Sequence, residues 1–130
     1  MKKNFYLLIA GMILGVIAAI LLKQSSTSNS WLRETEETIK RSLFELTPIG
    51  MSMEDVLDKI SNNEEWEIRW VNSENGFMDP STGNTIGKKS IRVFIGKYQD
   101  FFVTHVTVFW GFNENSELID IYVWKDTEGF

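Results

Sequence analysis

Cysteine is absent from the 130 residues, and histidine occurs once, at His105. Without cysteine there is no disulfide framework, no thiolate nucleophile and no cysteine-ligated zinc site. With a single histidine, every serine nucleophile would have to share one base. Neither an HExxH helix nor an EF-hand loop occurs. His105 lies between Thr104 and Val106 in a run of strand character, where a packed or surface histidine is the expectation rather than a catalytic or metal-binding one. Phosphate-loop chemistry is missing as well. Residues 83–90, GNTIGKKS, carry three residues between the glycines and an extra lysine, and lead into a strand. A phosphate loop needs four residues between glycines and leads into a helix. Glu64, Glu65 and Glu67 cluster near a strand entrance, but glycoside hydrolysis requires two carboxyl groups converging across a cleft. No enzyme activity and no cofactor are expected.

Positive charge is also scarce outside the N-terminus. Beyond residue 23 the chain has ten basic and eighteen acidic residues, a net charge of −8. That balance argues against a nucleic-acid partner, which would need basic patches to neutralise phosphates. It equally disfavours a body lying flat on anionic lipid.

One long apolar run is present. Residues 5–22, beginning at Phe5 and ending at Leu22, read FYLLIAGMILGVIAAILL without a charge, between Lys2, Lys3 and Lys23. As a helix it extends about 27 Å, enough for the hydrocarbon core of a bilayer. An uncleaved anchor is the expectation and a signal peptide the alternative, since the flanks fit both. The residues after the run, LLKQS, form no small-x-small cleavage site. Lys2 and Lys3 place the N-terminus in the cytoplasm by the positive-inside rule, and the body outside a bacterial cell membrane. Gly11 and Gly15, continued by Ala19, form a ridge of small residues that could pair two such helices into a homodimer.

The remainder reads as a polar linker and one small domain. Residues 24–30, QSSTSNS, reach about two nanometres when extended. A first helix is expected from an N-cap at Ser30, with Leu32, Thr35, Ile39, Leu43 and Leu46 on its apolar stripe. It ends at Thr47, which precedes Pro48. Ser52 caps a second helix, with Asp55 three residues on, and Met53, Val56, Leu57 and Ile60 as its stripe. The period then switches to two. Trp66, Ile68 and Trp70 are expected on one face of a first strand, and Glu67, Arg69 and Val71 on the other. Residues 72–87 form a long loop with a short ordered piece at Phe77 and Met78. Strands follow over 90–98, with Ile91, Val93 and Ile95 inward, then over 101–112 and 118–125. The last two are joined by a turn at 113–116.

The fold class expected is α+β: an N-terminal transmembrane helix, then two amphipathic helices packed on one face of a four-stranded antiparallel sheet. The domains are 1–23 as signal-anchor, 24–30 as flexible linker and 31–130 as extracytoplasmic domain. Helices can cover only one face of the sheet, yet aromatic residues fall on both. The second face is therefore either an exposed partner surface or groove, or covered by curling of the sheet or by the long loop. The partner-surface candidates are Trp110, Phe112, Tyr122 and Trp124 around the last hairpin, with Phe77 on the loop.

The stretch Ile49-Gly50-Met51-Ser52-Met53-Glu54-Asp55-Val56 and the closing hairpin VTVFWGFNENSELIDIYVW, residues 106–124, resemble the turn-and-cap and closing strands of the small outer-membrane-assembly lipoprotein family, BamE or SmpA/OmlA-like. Together they cover about a quarter of the chain. The family carries a lipid-modified cysteine; here a transmembrane anchor stands in its place. The resemblance implies a fold and a protein-binding habit, and no functional residue is carried over. Taken together, these readings lead to an anchored, non-catalytic protein-binding module in envelope maintenance or sensing. The alternatives are an immunity-type protein that neutralises a basic toxin, or a ligand sensor with a pocket between sheet and helices closed by the 72–87 loop.

Overall fold

A prolyl ring at position 48 and a hydroxyl at position 52 divide the helical half of the domain. A computed structural model describes residues 30–128. The chain divides into two units, Met1–Trp31 and Leu32–Phe130, and the architecture below is that of the second. Among the described residues no helix is long and apolar enough to cross a membrane. The expected span at residues 5–22, with Gly11, Gly15 and Ala19, lies outside the described residues.

The first helix starts later than its sequence pattern suggests. Trp31–Arg33 is a 3-10 turn, and α1 runs Glu36–Leu46 with Thr35 as its N-cap, the hydroxyl accepting from the Thr38 N–H. Ser30 therefore does not cap α1. A threonine followed by two glutamates in the first turn satisfies the free N–H groups and complements the helix dipole better than the tryptophan that follows Ser30. Leu32, Ile39 and Leu43 are buried, whereas Thr35 and Leu46 are exposed. Thr47 leaves the helix with φ −129°, as a residue before proline must. The second helix, α2, is Met53–Ser61, capped by Ser52 accepting from the Asp55 N–H at 3.1 Å. Its buried face is Met53, Val56 and Ile60.

The strands are β1 Glu67–Asn72, β2 Phe77–Met78, β3 Thr85–Ile86, β4 Lys89–Gln99, β5 Val103–Phe112 and β6 Leu118–Thr127. The main sheet is an antiparallel meander in the order β1-β4-β5-β6; β2 and β3 form a separate two-stranded ribbon. Register defines the two faces. Val93, Val108 and Val123 stand in one inner row, and Ile91, Trp110 and Ile121 in the next. All six are buried, and with the buried residues of α1 and α2 they make the core. Lys40 of α1 reaches Asp120 of β6 at 3.3 Å.

The turn between the helices is stitched to the start of β6. The Gly50 N–H donates to the Leu118 carbonyl at 2.8 Å, Leu118 donates to Met51 at 2.9 Å, and Met53 donates to Ser116 at 2.8 Å. Both chain stretches that carry the family resemblance thus meet through backbone hydrogen bonds.

One expectation about β1 is overturned. Ile68 pairs with Val93 but Trp70 pairs with Arg92, so Arg69 is the extra residue of a β-bulge. A bulge shifts the alternation by one. Trp66 and Ile68 thus keep to the inner side, where Trp66 meets Trp110 at 6.2 Å between ring centroids. Trp70 turns to the outer side against Phe109, at 6.4 Å.

Candidate functional site

The outer face is built from three rows of side chains fixed by register: Arg92–Phe109–Tyr122, then Phe94–Thr107–Trp124, then Lys97–His105–Asp126. The segment between β1 and β4 folds onto the first row. Phe77 of β2 is buried with its ring 5.6 Å from Phe109 and 6.2 Å from Tyr122. Below it Gly111 leaves no room for a side chain: a Cβ there would lie 2.8 Å from Cε1 of Phe77. The tip of the ribbon is closed by Asp79, whose carboxylate accepts from the Ser81 hydroxyl at 2.6 Å and from its N–H at 2.9 Å. These bonds hold the Asp79 carboxyl below the usual carboxylate range, the hydroxyl contributing most. Burial under the ribbon pushes the Tyr122 hydroxyl above the usual tyrosine range, with smaller contributions from Glu36 and Asp79. The long loop therefore lies on the outer face and does not close a pocket between sheet and helices.

Beyond the ribbon the outer face stays open. A groove of about 360 Å³ is lined by Arg69, Arg92, Phe94, His105, Thr107, Trp124 and Asp126. At one end the Arg92 guanidinium lies 4.7 Å from the Trp70 ring centroid, 5.5 Å from Phe109 and 5.8 Å from Trp124. Each such cation–π contact contributes about 0.5–1 kcal/mol at an exposed site. Arg92 forms no ion pair among the described residues, and its Nε is buried with no hydrogen-bond partner. An unsatisfied buried donor costs about 1–3 kcal/mol. Beside it, Arg69 lies 5.1 Å over the Phe94 ring and bonds Glu67 at 3.2 Å. At the far end His105 Nε2 lies 2.6 Å from a Glu128 carboxylate oxygen, with Asp126 in the same row.

The five surface candidates are distributed across three environments. Trp110 and Phe112 are 0% exposed and belong to the core, which removes both from any contact surface. Phe77 and Tyr122 pack together as the covered part of the outer face. Trp124, 37% exposed, is the one of the five that lines the groove. Sequence reasoning missed Arg69, Arg92, Trp70, Phe94, Thr107 and Asp126. A signal was present in β4, where Arg92 and Phe94 alternate with the inward Ile91 and Val93. Pairing an arginine with an aromatic on the outward side of a strand marks a surface that is neither plain core nor plain solvent face.

The groove can hold an anion by charge and planar hydrogen bonding, over an aromatic floor. Among the described residues no group of three or more acidic or histidine side chains could hold a metal ion. Comparison of the chain with protein families, with characterised proteins and with solved structures gives no match.

Proposed function

We propose that the chain is an anchored extracytoplasmic binding module, without catalytic activity, whose outer sheet face receives a protein partner. The observation that carries this reading is Trp70, 47% exposed, and Trp124, 37% exposed, both against the Arg92 guanidinium on the outer face. Tryptophan and arginine are the residues on which interface energy concentrates, and exposed aromatic surface gathered in one patch marks an interaction site. The anchor is the apolar run at residues 5–22, with the body outside the cytoplasm. Gly11, Gly15 and Ala19 provide the face on which two anchors would pair. The resemblance to the envelope-assembly lipoproteins supports the same habit of binding protein.

The test is site-specific photo-crosslinking of the full-length chain in cells, with the reactive group at position 70 or 124 and, as control, at Asp58 on the exposed side of α2. One shared product from positions 70 and 124, absent from position 58, is the expected result. The same products from all three positions, or none from 70 and 124, would reject the reading.

A further inference from the structure

The groove's two ends differ in charge, and that difference restricts what it can take. Arg92 and Arg69 stand at one end, on a body whose net charge beyond residue 23 is −8. Asp126 lines the other end, four residues along β6 from the Arg92 row, or about 13 Å at strand rise. The row at that end carries the carboxylates of Asp126 and Glu128 against Lys97, so a polyanion laid along the groove would meet Arg92 favourably and the far row unfavourably, which disfavours nucleic acid and an anionic lipid surface. A single carboxylate carried on an otherwise apolar or neutral segment meets only the favourable end.

Arg92 is prepared for such a group. Three aromatic rings hold its guanidinium, so little side-chain freedom remains to be lost on binding. No carboxylate of the described residues pairs with it. A guanidinium offers parallel N–H groups that match the two oxygens of a carboxylate. Phe94 and Trp124, at the next row, present apolar surface to whatever flanks that carboxylate.

The free edge of β1 is less suited to receive a strand. A bulge at Arg69 and the charges of Glu67 and Arg69 interrupt it, the features by which sheets discourage edge pairing. Contact beside Arg69 and Arg92 is thereby directed from the β1 edge to the face.

Resting on the reading of this face as a protein-binding surface, we propose that the groove recognises an extended, largely apolar peptide segment that carries one carboxylate. Its Glu or Asp side chain pairs with Arg92, and neighbouring apolar residues lie on Phe94 and Trp124.

The experiment titrates the full-length chain in detergent micelles with the peptide acetyl-Ala-Phe-Glu-Phe-Ala-amide, following tryptophan emission. Its Gln counterpart, sodium acetate and inorganic phosphate are titrated in parallel. The Glu peptide is expected to shift emission saturably and to bind about ten- to a hundredfold tighter than the Gln peptide, the weight of a hydrogen-bonded charge. Arg92→Gln should abolish that preference, and Arg92→Lys should restore only part of it, because lysine lacks the planar fork. The Glu–Gln comparison needs no variant and stands even if Arg92→Gln fails to fold. Equal binding of the two peptides, no binding of either, or phosphate binding as tightly as the Glu peptide would each overturn the proposal. A crosslinked protein at positions 70 and 124 with no Glu–Gln discrimination would reject this inference and leave the protein-binding reading standing. Discrimination with no crosslinked protein would reject the protein-binding reading and, with it, a peptide as the occupant.

Discussion

The indole N–H of Trp110 donates to the hydroxyl of Thr47 at 3.0 Å, in the centre of the core. Both residues are 0% exposed, and the Thr47 hydroxyl donates in turn to the Leu43 carbonyl at 2.8 Å. This pair ties the C-terminus of α1 to the C-terminal part of β5. It also gives the largest buried side chain of the domain a partner for its one polar atom. A buried tryptophan is stable where its N–H finds an acceptor, and the residue before Pro48 supplies one.

Thr47→Val keeps the shape and removes the hydroxyl, leaving the indole donor without its acceptor. It is expected to destabilise the domain by about 1–3 kcal/mol, with Thr47→Ser retaining most of the lost stability. Urea denaturation followed by tryptophan emission distinguishes these outcomes. Equal stability of the valine variant and the wild type would show that another acceptor takes over.

The ribbon over the outer face depends on Gly111. A methyl group there meets the Phe77 ring, so Gly111→Ala is expected to cost about 1–3 kcal/mol through overpacking. In a Phe77→Ala background the obstacle is gone and the same substitution should cost much less. A double-mutant cycle measures that coupling, and purely additive costs would show that Phe77 does not rest on position 111.

Two groups at the ribbon give it opposite pH limits. Asp79 has its folded-state pKa lowered, first by the Ser81 hydroxyl. Its contribution is therefore present above the ordinary carboxylate pKa and is lost as pH falls through the lowered one. Tyr122 has its folded-state pKa raised, chiefly by burial. Its contribution is present below the ordinary tyrosine pKa and is lost as pH rises through the raised one. Amide exchange at positions 77 and 86 should accelerate at both extremes beyond the intrinsic pH trend. Asp79→Asn should remove the acid limit and Tyr122→Phe the alkaline one. A profile unchanged in both variants would place the limits elsewhere.

The helices and the inner rows of the sheet were legible because burial writes a period into the sequence. Ile39, Leu43, Val56 and Ile60 repeat at helical spacing, and Ile91 and Val93 at strand spacing, and all six are buried. The Ser52 cap and the stop at Pro48 follow from single residues whose local chemistry leaves few alternatives. The start of α1 did not, because Ser30 and Thr35 are both competent caps, and the choice between them is settled by burial of Leu32 in the 3-10 turn. The groove was the least legible part. Its aromatics look like those of the core, and only register separates Trp110, facing Ile91 and Ile121, from Trp124, facing Thr107.

The bulge at Arg69 hid the outward turn of Trp70, and it makes an unusual prediction. With Arg69 removed, Glu67, Ile68, Trp70 and Val71 still face Phe94, Val93, Arg92 and Ile91 in unbroken succession. The alternation is then regular, and no side chain changes face. Deleting Arg69 should therefore leave the domain folded within about 1 kcal/mol of wild type, since a half-exposed residue away from core packing contributes little. Deleting Trp70 instead would move Arg69 opposite Arg92, setting like charges in register and removing one of the rings over the guanidinium. That variant should lose clearly more stability. Denaturant unfolding of both, with amide exchange in β4 as a check on register, measures the difference. Equally large losses in the two deletions would mean that the bulge is itself required by the fold, and the pairing of Trp70 with Arg92 would then be its consequence rather than its constraint.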